Sequence, residues 1–242
     1  LYKKEVFRFL IVSGQTLIGP IITSILFLMV ISLAIGDAKK DVLGAPFIIF
    51  LAPGLIAMQV IQQSFAHSSS SLIMSKMMGT IQDIIGSPLS SAEVTTSIIL
   101  ASVTRGFLIS IISSAIFYLF LDLEINNYII FIIYLFLGTF MLGSLGFIAG
   151  LFANKFDEMA TITNFLIVPL SFLSGTFYSI NRLPDLLQTI SYYNPFFHMI
   201  DGFRYAFINQ MDGSIKFGII YLSVLSIIFW IIAYYLFKKG YN

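Results

Sequence analysis

Few residues in this chain combine the side-chain types that carry out chemistry in proteins. The sequence has 12 acidic side chains, two histidines and no cysteine. The densest grouping is His198, Asp201 and Arg204, which lie three residues apart and so share one helix face. Catalysis usually needs clustered His, Asp or Glu, and the other histidine, His67, belongs to a different segment. We therefore predict no catalytic residue, no metal site, no cofactor bound by this chain and no enzyme.

The composition points to a lipid bilayer as the solvent. Hydrophobic residues make up 58% of the chain and charged residues 10%, whereas soluble domains carry roughly 25% charged residues. A formal net charge of +1 provides no basic surface for nucleic acid. The predicted fold class is therefore an all-α membrane protein.

Charge-free runs of at least about 18 residues, the length that crosses hydrocarbon as a helix, define the organisation. We predict one transmembrane domain over residues 1–242, with six spans at 15–36, 47–65, 94–121, 128–152, 161–178 and 217–237. A polar loop is predicted at 37–41 and a long polar inner segment at 66–93. An even number of spans puts both termini on one side, and the bias of Lys and Arg places that side in the cytoplasm.

Two charged features accompany these spans. Residues 2–13 interleave basic and apolar side chains, which fits a helix lying in the cytoplasmic interface or a basic flank of the first span. Arg105 interrupts the third apolar run. A charge inside a span costs at least ~2.5 kcal/mol on insertion scales and is a functional candidate by default. Alternatively, the third helix starts early and its arginine reaches the inner interface.

The inner segment contains a short amphipathic pattern before the third span. Three isoleucines recur at helical spacing opposite Asp83, and a Gly-Ser-Pro break follows. Ser90 or Ser91 is placed to cap the next helix ahead of Glu93. Such a helix would bury its apolar side against the bundle or a partner, and a purely structural elbow is the alternative.

The outer segment at 172–207 is too apolar for a solvated loop and is broken by Gly175, Pro184 and Pro195. Asn194-Pro195 is a turn signal, and Pro195 is suited to begin a helix. We predict re-entrant helices that dip into the membrane from outside.

Glycines stripe the fourth run, and the pair Gly146 and Gly150 forms a G-x-x-x-G pattern that allows close helix approach. Packing within one subunit is favoured over a dimer contact.

These motifs resemble the ABC-2 family of ATP-binding-cassette transporter permeases. The inner part is SPLSSAEV at 87–94, with Gly79-Thr80 seven residues earlier. The outer part is FLSGTFYSINRLP at 172–184, followed by NPFFHMIDGFR at 194–204. The resemblance covers nearly the whole chain, including the order of the motifs.

The resemblance implies half of an export channel in the bacterial inner membrane. A second permease copy would complete it as a homodimer, and two ATPase subunits would bind ATP and Mg beneath them. The 242 residues contain no G-x-x-x-x-G-K-[ST] loop, which agrees with an ATP site on a separate subunit. The expected cargo is amphipathic: a glycolipid or polysaccharide, a lipid or a drug.

The resemblance also assigns roles to residues. The ATPase-coupling region would comprise Gly79, Thr80, Asp83, Pro88, Leu89 and Glu93. The extracellular lid would comprise Asn194, Pro195, His198, Asp201 and Arg204. For the lid, the alternative is that Asp201 and Arg204 simply satisfy each other structurally.

Two other function classes are weighed against this one. A secondary transporter or channel would typically carry midplane carboxylates or an inverted repeat, and neither is apparent. A membrane enzyme would need the clustered polar residues that the spans lack.

Overall fold

The computed structural model describes residues 1–35 and 41–241, which form helices and no β-strand. The predicted all-α class is confirmed. The helices are α1 (Tyr2–Ile11), α2 (Gly19–Ile35), α3 (Phe47–Met77), α4 (Ile81–Ile85), α5 (Ser91–Leu121), α6 (Tyr128–Phe152), α7 (Phe156–Ile162), α8 (Val168–Phe172), α9 (Asp185–Tyr193), α10 (Pro195–Ile208) and α11 (Ile215–Tyr241). π-Helical turns at Gly14–Ile18 and Thr163–Ile167 lead into α2 and α8, and a 3-10 turn covers Ile180–Arg182.

Among the described residues, five helical segments are long and apolar enough to cross a membrane. They are Gly14–Ala34, Phe47–Met77, Ser91–Leu121, Tyr128–Phe152 and Ile215–Gly240. These segments correspond to the first four predicted runs and the last one. Residue 36, where the first span was predicted to end, and all but the last residue of the loop at 37–41 lie outside the described residues.

The remaining predicted span, at 161–178, overlaps a continuous helical stretch that consists of α7, the π turn and α8. This stretch runs from Phe156 and ends at Phe172. The backbone turns away there through a Ser-Gly-Thr stretch in which Gly175 adopts a φ of +73°. The predicted boundary at 178 is therefore wrong, because apolar composition continues past the point where the backbone leaves the helix.

Helix α3 extends well beyond its predicted end at residue 65. It has 31 residues and is about 46 Å long. The first part of the predicted polar segment is therefore helical, and it is largely buried. Two serine hydroxyls of this stretch bond within the helix, since Ser69 and Ser75 each donate to the carbonyl four residues earlier at 2.9 Å. The predicted end at residue 65 came too early because serine hydroxyls make this stretch look exposed by its hydropathy, although most of it is buried.

Helix α3 lies at the centre of the bundle, in contact with α2, α5, α6 and α10. In the most apolar window of α3, 78% of residues are buried, against 17% in the corresponding window of α11. Every residue from Phe50 to Ile61 is buried. Helices α2 and α11 therefore present their apolar surfaces outward, while α3 is enclosed by protein.

The glycines of α6 bring it into backbone contact with α3. A Cβ added at Gly146 would lie 2.3 Å from the carbonyl oxygen of Phe65, and one at Gly150 would lie 2.9 Å from that of Ser69. No side chain fits at such distances. The G-x-x-x-G pattern thus packs within one subunit, as predicted.

Replacing Gly146 with alanine should lower the free energy of unfolding by about 1–3 kcal/mol, because the new methyl group would push α6 away from the Phe65 carbonyl. Thermal unfolding of the purified protein in detergent measures the change. Gly19→Ala is the matched control, since its Cβ would meet only the Gly14 carbonyl oxygen at 3.7 Å. Equal melting temperatures for the two variants would contradict the tight contact.

Candidate functional site

The connection between α3 and α5, residues 78–90, forms what we call the inner elbow. It turns at Gly79, whose φ of +73° suits glycine, and then makes the short helix α4. Ile81 and Ile84 of α4 are buried, while Asp83 is exposed. A helix therefore forms where the isoleucine spacing predicts one, with Asp83 on its outer face.

The buried side of the inner elbow is anchored to several long helices at once. Its isoleucines join a hydrophobic cluster that includes Leu72, Val94, Ile98, Ile99, Phe147, Ala233 and Phe237. These residues belong to α3, α5, α6 and α11. Ile81 and Ile84 therefore belong to a cluster that spans four long helices.

The start of α5 is fixed by a capping box. The Glu93 N–H donates to the Ser90 hydroxyl at 3.3 Å, and the Ser90 N–H donates to the Glu93 carboxylate at 2.7 Å. Of the two predicted caps, Ser90 is the one used. Pro88 and Leu89 remain exposed just before it, and Thr80 is half-buried at the other end of the inner elbow. Glu93 thus orders the helix start instead of facing outward freely.

Lys76 ties the inner end of α3 to that of α6. Its ammonium group donates to the carbonyl oxygens of Gly150, Leu151 and Ala153. A cation at these carbonyls also offsets the negative end of the α6 dipole. The sequence did not predict this contact, since nothing in it shows which distant carbonyls Lys76 meets.

At the outer end, Asn194 caps α10, and Pro195 is its first residue, as predicted. The Asn194 side-chain oxygen accepts from the Phe196 N–H at 3.0 Å. Its amide donates to the Leu170 carbonyl at 3.2 Å and to the Ser174 hydroxyl at 2.8 Å. One side chain therefore joins the start of α10 to the end of α8.

His198 lies in an aromatic cluster. Its Nε2–H donates to the Tyr192 carbonyl at 2.7 Å, and the rings of Tyr192, Phe197, Phe217 and Tyr221 surround it with centroids 5.0–5.2 Å away. Burial lowers the pKa of His198. His198 therefore packs α9, α10 and α11 against one another.

Arg204 is fully enclosed and binds backbone instead of a carboxylate. Its Nε donates to the Phe50 carbonyl at 3.2 Å, and its Nη2 donates to the carbonyls of Gly175 at 2.7 Å and Thr176 at 3.3 Å. The guanidinium carbon also lies 3.8 Å from the centroid of the Phe50 ring. Arg204 thus fastens the turn after α8 onto α3.

Asp201 binds a different segment. Its carboxylate accepts from the N–H groups of Asp212 at 3.0 Å and Gly213 at 2.8 Å. Burial raises the pKa of Asp201 to about 6, against the opposing effects of Arg204 and these donors. No Asp201–Arg204 contact occurs among the ion pairs of the described residues. Asp201 and Arg204 therefore take different backbone partners, and no direct ion pair among the described residues supports the alternative that they satisfy each other structurally.

We call the connection between α8 and α11, residues 173–214, the outer region. Two residues that shape it, Asp212 and Gly54 of α3, were not predicted from the sequence. Asp212 accepts from the Ser179 hydroxyl, the Ile180 N–H and the Asn181 amide at 2.5–3.1 Å. Its Asp-Gly dipeptide was an available turn signal. Gly54 permits the close approach to α3, because a Cβ there would lie 2.7 Å from the Thr176 carbonyl oxygen.

Arg105 is 7% exposed and lies between α5, the π turn before α2, and α3. Its Nε donates to the Thr16 carbonyl at 3.3 Å, and its Nη2 donates to the Gln63 side-chain oxygen. Ion pairs within the described ranges are confined to Glu5 with Arg8 and with His67, so no carboxylate pairs with Arg105. Helix α5 begins at Ser91, three residues before the predicted start. Arg105 therefore lies about 21 Å along the helix from its inner end.

Acidic, histidine and cysteine side chains do not gather into any group of three suited to a metal ion within residues 1–35 and 41–241.

Comparison with known proteins identifies the family of this chain. The model of the ABC-2 type transporter family matches residues 1–208, a range that contains both the inner elbow and helix α10. The chain belongs to the ABC-2 type transporter family. It is a multi-pass membrane permease of the ATP-binding-cassette class.

This permease has a full-length relative in the inner membrane transport permease YadH of Escherichia coli K12. The two are 31% identical over an alignment covering 99% of this chain and 94% of the relative. The permease of the same name from Shigella flexneri matches equally. Nodulation protein J of Sinorhizobium fredii is 27% identical over 88 residues, which are 36% of this chain and 34% of that protein.

Arg204→Lys should loosen the outer region, because an ammonium group cannot reproduce the guanidinium contacts with three carbonyls and the Phe50 ring. We expect a loss of about 1.5–3 kcal/mol in unfolding free energy and faster amide exchange at residues 173–182. Hydrogen–deuterium exchange measures the latter. Arg182→Lys is the control, since Arg182 is exposed and donates to the Asp41 carbonyl at 3.3 Å. Unchanged exchange in Arg204→Lys would contradict this fastening role.

Proposed function

We propose that this chain is half of an ABC exporter that moves an amphipathic cargo out of the cell across the bacterial inner membrane. A second copy completes the translocation path as a homodimer. Two separate ATPase subunits bind ATP with Mg and supply the energy. The family match and the name of the E. coli relative, an inner membrane transport permease, support this proposal.

One observation carries the proposal: the inner elbow is anchored on one side and open on the other. Its open side shows Met78, which is 69% exposed, beside exposed Asp83 and Leu89. Met77, the last residue of α3, is 60% exposed next to it. Methionine side chains adapt readily to a partner surface. Such a surface is suited to dock an ATPase subunit.

The lengths of the flanking helices support a cytoplasmic position for this surface. Helices α3 and α5 have 31 residues each and are about 46 Å long, so they exceed the hydrocarbon thickness by about 16 Å. We place this excess on the cytoplasmic side, where it carries the inner elbow clear of the membrane. In this arrangement Gly79, Thr80, Asp83, Pro88 and Leu89 contact the ATPase, and Glu93 keeps the start of α5 ordered.

Movement would pass from the inner elbow to the outer region through α3. Lys76 fastens the inner end of α3 to α6, and Arg204 fastens the outer region to α3 at Phe50. ATP binding and hydrolysis would bias this connected body between two arrangements, which is the basis of alternating access. Asn194, Pro195, His198, Asp201 and Arg204 would then order an extracellular lid.

Six crossings within one domain, residues 1–242, complete the proposed topology. The fifth along the chain is formed by α7, the π turn and α8 together, and α9 and α10 return toward the membrane from outside. The irregular backbone around Gly175 is tolerable at that depth because it is covered by protein, as the Arg204 contacts show. Both termini lie in the cytoplasm, and α1 lies in the cytoplasmic interface with Phe7 and Ile11 toward lipid.

The proposal is tested by extracting the tagged chain in mild detergent and analysing what accompanies it. We expect an ABC ATPase subunit in one-to-one ratio, and ATP-dependent transport of an amphiphile after reconstitution of the complex. The rival is an ATP-independent secondary transporter or channel. A solitary chain that moves cargo without ATP would favour that rival and overturn the proposal.

Charge reversal at Asp83 should reduce transport-coupled ATPase activity several-fold, because Asp83 is exposed on α4 at the proposed docking surface. The assay compares cargo-stimulated hydrolysis by reconstituted Asp83→Lys and wild-type complexes. Asp185→Lys is the control, since it reverses an equally exposed carboxylate on α9 in the outer region. Normal stimulation in Asp83→Lys, with equal membrane levels, would contradict the coupling role.

A further inference from the structure

A cavity of about 500 Å³ lies where α1 and the π turn before α2 meet α3 and α5. Its size is within the range of small-molecule sites. Its polar lining consists of Arg8, Gln15, Thr16, Gln63, His67, Ser70 and Arg105. These side chains are mostly hydrogen-bond donors or cations, which is unusual for the inner part of an apolar bundle.

The charges facing this cavity do not balance. Glu5 is committed to Arg8 at 2.9 Å and also accepts from the Ser71 hydroxyl at 2.7 Å. Arg105 has only the neutral oxygens of Thr16 and Gln63 as acceptors. Two arginines, Arg8 and Arg105, line the cavity. In the part of the chain that the structure describes, Arg105 therefore has no carboxylate partner.

Hydrogen-bonding capacity is also left over. His67 is 1% exposed and lines the cavity, yet its Nε2 has no hydrogen-bond partner and lies 3.9 Å from the Glu5 carboxylate. The Arg8 Nε is buried and unpartnered as well. Buried polar groups are costly when left unpaired, so these atoms indicate a missing acceptor.

We infer that this cavity binds a phosphate-bearing headgroup at the cytoplasmic leaflet. Guanidinium groups bind phosphate oxygens through paired hydrogen bonds, and an anion would balance Arg105. Helix α1 exposes Phe7 and Ile11 beside the cavity, where they can contact the attached acyl chains. The inference rests on the proposed function for the cytoplasmic position of α1, and it narrows the amphipathic cargo or regulatory lipid to an anionic class.

Lipid binding to the purified full chain, measured by native mass spectrometry, tests the inference. The probes are phosphatidic acid and a diacylglycerol with the same acyl chains, and we expect the phosphate to increase affinity at least about tenfold. Competition by inorganic phosphate identifies a site that takes free phosphate too, whereas lack of competition identifies a lipid headgroup site. Equal binding of the two lipids would overturn the inference.

Variants locate the binding. Arg105→Gln should weaken phosphatidic acid binding at least about tenfold, and Arg105→Lys should restore part of it. Exposed Gln15 offers a second test in case Arg105→Gln folds poorly: Gln15→Glu should weaken binding, and Gln15→Lys should strengthen it. Lys4→Gln is the control, because Lys4 is an exposed cation of α1 that does not line the cavity.

If the Gln15 substitutions and Arg105→Gln all leave phosphatidic acid binding unchanged, in protein with a wild-type melting curve, the proposed site is wrong. Binding needs neither ATP nor an ATPase, so its outcome is separate from that of the transport experiment. Headgroup binding without ATP-driven export would count against the proposed function alone. Export without phosphate preference would count against this inference alone.

Discussion

The backbone contact between α3 and α6 is the constraint on which the rest of the fold depends. Helices in lipid gain little from burying apolar surface, so their association relies on close packing. Gly146 and Gly150 provide it by letting α6 approach the carbonyls of Phe65 and Ser69. With α6 this close, α3 becomes the enclosed centre of the bundle, and both the inner elbow and the outer region attach to it.

Polar groups make those attachments, and each is matched to backbone acceptors. Lys76 meets three carbonyls at the end of α6, and Arg204 meets three carbonyls at the opposite end of α3. Away from water, such charged hydrogen bonds are strong when complete and costly when broken. Arg105 differs from Arg204 because the carboxylates of Asp201 and Asp212 lie near enough to interact with the Arg204 charge, whereas Arg105 donates to two neutral oxygens. This difference separates a structural arginine from one suited to bind a ligand.

If separate ATPase subunits drive the permease, as we propose, movement has to pass through the backbone of the permease itself. The inner elbow has the properties this requires: a fixed apolar side made of Ile81 and Ile84, an exposed side with Asp83, and a capped helix start at Ser90. The connections between spans, more than the spans themselves, therefore distinguish this chain from an inert helical bundle.

Local interactions and composition could be predicted from the sequence alone. Apolar runs predicted the five helices that are long enough to cross a membrane, and adjacent residues limited the α5 cap to Ser90 or Ser91 and predicted the α10 start at Pro195. The length of α3, the end of α8 at Phe172 and the partners of Arg204 and Lys76 became known only from the folded structure. The reason is physical: these outcomes depend on backbone carbonyls and on burial by residues far away in the chain. Carbonyls are common to all residues, so no sequence pattern marks which ones a side chain will meet.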